Sequence, residues 1–230
     1  MEIDKLWEDI ESDYSWRIDE IRFFQNQLAN FSTEDERDQF RRAIILLLYS
    51  HFEGFCKFSF LLYINAINDE NIKCQNVNST IKASSLSSVF DGLRNPDSKC
   101  RVFARALPDD SKLHRFSRDI EFLDRTTDFE NIIVKIPDNI IDVESNLKPN
   151  VLKKILYKLG LDHNLFTPYD ATIHKLLGFR NKIAHGQIKE GINKNDFDEI
   201  RNAVFDVMTN VKSKIMDALT RQLYLSSVNN

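Results

Sequence analysis

Six glycines and five prolines are few for 230 residues. That scarcity disfavours a β-sandwich or barrel, whose short strands need frequent tight turns, and favours long helices. Cysteine is just as sparse. Cys56, Cys74 and Cys100 are odd in number, widely spaced and never in a Cys-x-x-Cys pair, so neither a disulfide framework nor a zinc site follows from them. A reducing, cytoplasmic setting is the expectation. The most apolar stretch, Ala43 to Phe52, is far shorter than the ~20 residues a membrane span requires, so no membrane partner is expected. The acidic, amphipathic start Met1-Glu2-Ile3-Asp4 is unlike a signal peptide. Positive charge is not in excess either. A net charge of −4 and a pI near 5.8 argue against holding nucleic acid by bulk electrostatics, though not against a local basic cleft. Glycine-rich phosphate loops are missing, and the five histidines show no metal-ligand spacing, so neither a metal nor another cofactor is expected.

The residues that are present describe helices. Apolar residues make up 42% of the chain and include 17 phenylalanines, enough for a sizeable core wedged by aromatic rings. Apolar positions at Ile3, Leu6, Trp7, Ile10, Tyr14, Ile18, Ile21 and Leu28 keep a helical period and predict one long helix over residues 3–30. Ser32 and Thr33 offer an N-cap for a second helix running to about Asn68, with acids in its first turn. From Ala43 to Ile67 that helix is apolar nearly all round, the mark of a central helix enclosed by others. A short helix is expected near Ser84–Leu93. The pattern resumes at 150–159, closed by Gly160, then from an Asp170 N-cap through His185, closed by Gly186, and last from Asp196 to about Leu223.

Residues 94–118 hold seven Lys or Arg against three acids, and residues 119–144 hold eight acids against two bases. Inside the acidic stretch, Asn131 to Ile136, then Pro137-Asp138-Asn139, then Ile140-Ile141 predicts a small β-hairpin. The chain therefore reads as a single all-α domain, a bundle of four to five helices spanning residues 1–230 and interrupted by an insertion at 94–145.

One cluster has a reaction attached to it. Metal-free RNA cleavage needs a base for the 2′-OH proton, an acid for the 5′-oxygen and positive charge on the phosphate. His185 supplies a side chain that exchanges protons near neutral pH. Arg180 supplies a permanent planar fork for phosphate oxygens. Asn181, one helical turn before His185, can orient the imidazole or hold the phosphate. An Arg and a His at this spacing also arise by chance, as a solvated Arg and a cation at a helix C-terminus. On a helical wheel, His174, Gly178, Asn181 and His185 fall within one stripe of about 60°, a polar face with a gap in it. Arg180 lies about 100° away, among apolar positions, and needs a carboxylate there. Glu53, the only acid between Asp38 and Asp69, is the expected partner, with His51 or Gly54 close by; the alternative is an ordinary interhelical ion pair with no catalytic part.

His51-Phe52-Glu53-Gly54-Phe55, then Glu144-Ser145-Asn146-Leu147, then Arg180-Asn181-x-x-x-His185-Gly186 together resemble the HEPN superfamily, in particular a prokaryotic branch found in toxin–antitoxin and phage-defence contexts. The resemblance covers residues 1–70 and 142–222. It implies a helical bundle that dimerises so that two motifs face one another across a shared cleft. It also implies metal-independent endoribonuclease activity that leaves a 2′,3′-cyclic phosphate. Arg180 and His185 become the catalytic pair, Asn181 the polar residue after the Arg, and Glu53 the acid of the Glu-Gly-Phe helix. A toxin needs restraint, so an antitoxin or other regulatory protein is implied as a partner beside RNA. The alternative is a non-catalytic HEPN scaffold that binds nucleotide or a partner protein through the same helix face. On an ideal helix Arg180 and His185 are about 140° apart, which a dimer combining groups from two chains would resolve. Arg101, Arg105 and Arg115, with Phe103 and Phe116 as stacking platforms, could guide RNA toward the cleft; a solvated face paired with the acidic stretch is the plainer reading.

Overall fold

Thr33 sets the start of the longest helix. Its hydroxyl accepts the Glu36 N–H at 3.3 Å, while Glu36 Oε2 accepts the Thr33 N–H at 3.0 Å, a reciprocal capping box. The computed structural model describes residues 1–226. Eight α-helices are present among them: α1 (Ile3–Asn26), α2 (Glu34–Asp69), α3 (Ser79–Ser85), α4 (Ser87–Arg94), α5 (Ser111–Thr126), α6 (Pro149–Lys158), α7 (Asp170–Ala184) and α8 (Lys194–Thr220). The expected all-α architecture holds, but with eight helices and not four to five, because α3, α4 and α5 form between the long helices. Its boundaries differ in ways that local sequence does not dictate: α1 tightens into a 3₁₀ turn at Gln27–Asn30, and the single helix expected near residue 84 is the pair α3 and α4.

α2 is the axis of the bundle, with α1, α7 and α8 packed around it. One 18-residue window of α2 has a mean hydropathy of 1.3, apolar enough by length and composition to cross a membrane. Over half of that window (56%) is instead buried by the protein itself. Phe52, Phe55 and Phe60 are fully enclosed and each stabilises the fold by roughly 1.5–3 kcal/mol. α8 answers with Ile200, Val204, Val207, Met208, Val211 and Ile215, a helical apolar stripe that fills the facing layer.

The expected β-hairpin does not form. Residues 132–136 are extended, but they pair with the loop after α2: Cys74 N–H donates to the Ile132 carbonyl and Val134 N–H to the Ile72 carbonyl, both at 2.8 Å. The Asn68 amide completes the arrangement by bonding both the N–H (2.7 Å) and the carbonyl (2.9 Å) of Ile136. Pro137 leads into a 3₁₀ turn at Asp138–Ile140. Val134, Ile136, Ile140 and Ile141 all enter the main core, so burial and not hairpin pairing decides their course.

α7 is held from both sides. Lys153 on α6 pairs with Asp170, which stands inside the helix's first turn and not at its N-cap as expected; Tyr169 occupies the cap. Lys175 bridges to Asp196 (2.8 Å) and Glu199 (2.6 Å) on α8. The helix stops as its sequence predicts. Gly186 adopts φ +65°, its N–H donates to the Ile183 carbonyl at 3.0 Å, and Gln187 N–H reaches the Lys182 carbonyl at 2.8 Å. This is a Schellman closure, and α6 ends in the same way at Gly160. His185 is thereby left at the C-cap.

Candidate active site

Arg180 leaves α7 toward α2 and lies half-buried, its guanidinium carbon 5.0 Å from the centre of the Tyr49 ring. That geometry is a cation–π contact. Its Nη1 also donates to Asn181 Oδ1 at 2.9 Å, so the adjacent amide and the aromatic face together define where the guanidinium sits. Arg180 and Glu53 line one cavity of about 410 Å³ with Leu46, Tyr49, Ser50, Gly54, Lys57 and Ala184.

The expected Glu53–Arg180 ion pair is absent among the described residues. Glu53 Oε2 instead accepts a short hydrogen bond from the Tyr49 hydroxyl and a second bond from the Leu147 N–H at 3.1 Å. The same N–H lies 3.0 Å from the Tyr49 oxygen. A chain segment some ninety residues downstream thus satisfies the carboxylate. Leu147 is delivered there by Glu144 and Ser145, whose φ values of +48° and +66° lie in the left-handed region that costs a side-chain-bearing residue about 1–2 kcal/mol. Burial, and then the Glu53 carboxylate, push the Tyr49 phenol far above its ordinary pKa, so it remains a neutral donor at every physiological pH. Tyr49 is the residue that sequence reasoning missed. Its one signal was the i, i+4 spacing to Glu53, hidden by the apolar surroundings of both.

His51 points away from this cluster. Two residues before Glu53, it faces α1, where its ring meets Trp16 edge-on and its Nε2 lies 2.7 Å from Glu20 Oε2, out of line for a directed hydrogen bond. Gly54 serves that same side: a Cβ there would come within 2.6 Å of Arg17 Nη1, whose guanidinium stacks on Trp16 and binds Asp13. Burial lowers the His51 pKa below its ordinary 6.5, against the opposing pull of Glu20. The unfolded chain then binds the proton more readily than the folded one. Stability is full above about pH 6.5 and falls as the pH drops toward the depressed folded value. Melting temperatures measured from pH 7.5 down to 5.5 should decline more in the wild type than in His51→Gln; parallel profiles would rule this out.

The rest of the motif faces outward. His185, Gly186 and His174 are exposed, and apart from the helix's own backbone no atom of the described residues lies within 4 Å of where a Gly178 Cβ would stand. The His185 imidazole makes no hydrogen bond among the described residues, while its backbone N–H is held by the Asn181 carbonyl at 3.0 Å. The following loop is pinned. Arg42 on α2 binds the Ile188 and Lys189 carbonyls, Ile192 N–H donates to the Asp38 carbonyl at 2.9 Å, and the Gly191 backbone presses directly on Asp38 and Gln39.

Arg101, Arg105 and Arg115 are exposed, but none of them lines the cavity beside Arg180. Other cations of that stretch are committed to structure: Arg118 caps the Leu93 and Ser98 carbonyls, and Lys99 the Pro108 carbonyl. His114 is buried and accepts the Cys100 N–H at 3.0 Å, which gives it a packing role. No ion pair links the basic stretch to the acidic one among the described residues, so solvation and not mutual pairing accounts for both.

The family model described as MAE_28990-like HEPN matches residues 6–224. The chain belongs to the HEPN superfamily. No curated protein and no solved structure matches it. HEPN domains are often ribonuclease- or toxin-like. In this HEPN chain the match spans both the Glu-Gly-Phe helix and the Arg-Asn-x-x-x-His-Gly segment, and it includes residues 94–145 as well.

Proposed function

We propose that this HEPN protein is a metal-independent endoribonuclease that works as a homodimer in the cytoplasm, as the effector of a toxin or defence system. The observation that carries the reading is the division of the motif on α7. Arg180 is turned inward onto Tyr49 beside an open cavity, and His185 is exposed at the helix end, its imidazole without a hydrogen bond among the described residues. One helix does not aim both groups at one phosphate. A second copy set against the face that carries the exposed His174 and His185 would bring a partner's His185 toward the Arg180 side.

In such a cleft, an imidazole removes the 2′-OH proton, and the 2′-oxygen attacks phosphorus. The bond to the 5′-oxygen breaks, leaving a 2′,3′-cyclic phosphate, and the departing oxygen takes a proton from a second, protonated imidazole. Arg180 offsets charge on the phosphate oxygens in the transition state. Arg101, Arg105 and Arg115 are assigned to guiding RNA from the region before and within α5, and residues 94–145 as a whole to an insertion on the helical core. An antitoxin or other regulatory protein is the expected restraint. The test is purified protein incubated with total RNA in EDTA. Fragments ending in 2′,3′-cyclic phosphate support the reading; intact RNA at every protein concentration refutes it.

A further inference from the structure

The cavity beside Arg180 holds a second cation to which the proposed chemistry assigns no part. α2 presents Ser50, Glu53, Gly54 and Lys57 at i, i+3, i+4 and i+7, one face of the helix, with Arg180 and Ala184 of α7 completing the walls. Lys57 is exposed and has no carboxylate partner among the described residues. Ala184 contributes almost no side-chain volume, which leaves room between the two helices here. Glu53 is the only acid in the lining, and one of its carboxylate oxygens is already bonded to the Tyr49 hydroxyl and the Leu147 N–H. Two cations therefore face one hydrogen-bonded carboxylate, in a chain whose net charge is −4. The volume of about 410 Å³ lies within the ~300–1,000 Å³ of ligand clefts and exceeds what a single phosphate group fills.

We infer that this cavity is a second phosphate subsite for single-stranded RNA, in which Lys57 holds the phosphate next along the strand from the one that meets Arg180. A lysine ammonium is a compact charge on a flexible stem, suited to a backbone phosphate whose position varies with sequence. The Ser50 hydroxyl adds a neutral donor on the same face. Contacts of this kind position the strand without reading bases, so the subsite confers register and not sequence choice. The inference rests on the ribonuclease reading, but it concerns binding alone.

The experiment uses a labelled RNA oligonucleotide with 2′-O-methyl groups throughout, which lacks the attacking hydroxyl, and measures affinity between 50 and 200 mM salt. Lys57→Ala should weaken binding about threefold or more and reduce the slope of log affinity against log salt by about 0.7–1. Lys57→Arg should keep the wild-type slope. A Lys57→Ala slope equal to the wild type, with wild-type cleavage of natural RNA intact, overturns the subsite alone. Absence of RNA binding by the wild-type protein overturns the subsite and the ribonuclease reading together. Adenosine 5′-monophosphate forms the control arm: mononucleotide binding that depends on Lys57, beside RNA binding that does not, assigns the cavity to free nucleotide and overturns the RNA subsite.

Discussion

His185→Ala is expected to lower RNA cleavage about 10²–10⁴-fold, the usual contribution of a positioned acid–base side chain, while leaving the melting temperature unchanged. The two expectations belong together. The imidazole is exposed and makes no hydrogen bond among the described residues, so its removal opens no cavity and strands no buried group. The helix end is closed by Gly186 and the backbone bonds of Gln187, neither of which involves the imidazole. Its only structural contribution is as a cation at a helix C-terminus, about 0.3–1 kcal/mol and only when protonated. Arg180→Ala should abolish cleavage as well, but with some loss of stability, because its guanidinium packs on Tyr49. Mixing the two variants tests the shared site. A heterodimer of His185→Ala and Arg180→Ala chains retains one arginine and one of the two imidazoles, so if the groups come from opposite subunits it should be slower than the wild type but more active than either homodimer. Verified heterodimers no more active than the two homodimers would exclude that arrangement, and a His185→Ala protein that cleaves like the wild type would exclude the catalytic role itself.

Gly191→Ala should be the most damaging alanine substitution among the six glycines. A Cβ at this position would lie 2.7 Å from the Gln39 nitrogen and closer still to the Cβ and carbonyl carbon of Asp38. The obstacles are mostly backbone of α2, which cannot rotate aside as the tip of a side chain can. Overpacking of this kind costs about 1–3 kcal/mol or more, equivalent to roughly 2–4 °C of melting temperature per kcal/mol in a chain of this size. Relief requires the loop to lift from α2, which breaks the Ile192 N–H bond to Asp38 and draws the Ile188 and Lys189 carbonyls from Arg42. The segment directly after His185 then loses its anchor, so cleavage should fall along with stability. Thermal unfolding and cleavage assays on the purified variant decide the matter, and a wild-type melting temperature would mean that the contact is not close in solution.

Gly191 shows where reading a sequence stops. A glycine in a polar loop has many explanations, and only the approach of a backbone distant in sequence tells which applies. Gly160 and Gly186 were legible because their reason is local: a helix ends, the chain turns left-handed, and glycine bears that conformation without strain. The capping box at Thr33 and Glu36 was legible on the same ground, as was the enclosure of α2, which follows from an apolar surface on all sides. The segment 131–141 was misread because β-forming residues state a preference for extension without naming a partner; the partner proved to be the loop after α2.

The motif divides along the same line. Its residue types, the helix that carries them and the glycine that ends it were determined by the order of amino acids alone, as was membership of a superfamily recognised from three short segments. Which way each group points was decided by tertiary structure. Glu53 was expected to neutralise Arg180 because it is the only acid on α2 between Asp38 and Asp69. A tyrosine one turn before Glu53 and a backbone N–H from Leu147 took the carboxylate instead, and Arg180 settled on the Tyr49 ring beside Lys57. The physical reason is that a buried polar group takes whichever partners its surroundings bring within hydrogen-bond reach. Helical periodicity names the face on which a residue stands, but only the packed chain determines what stands opposite.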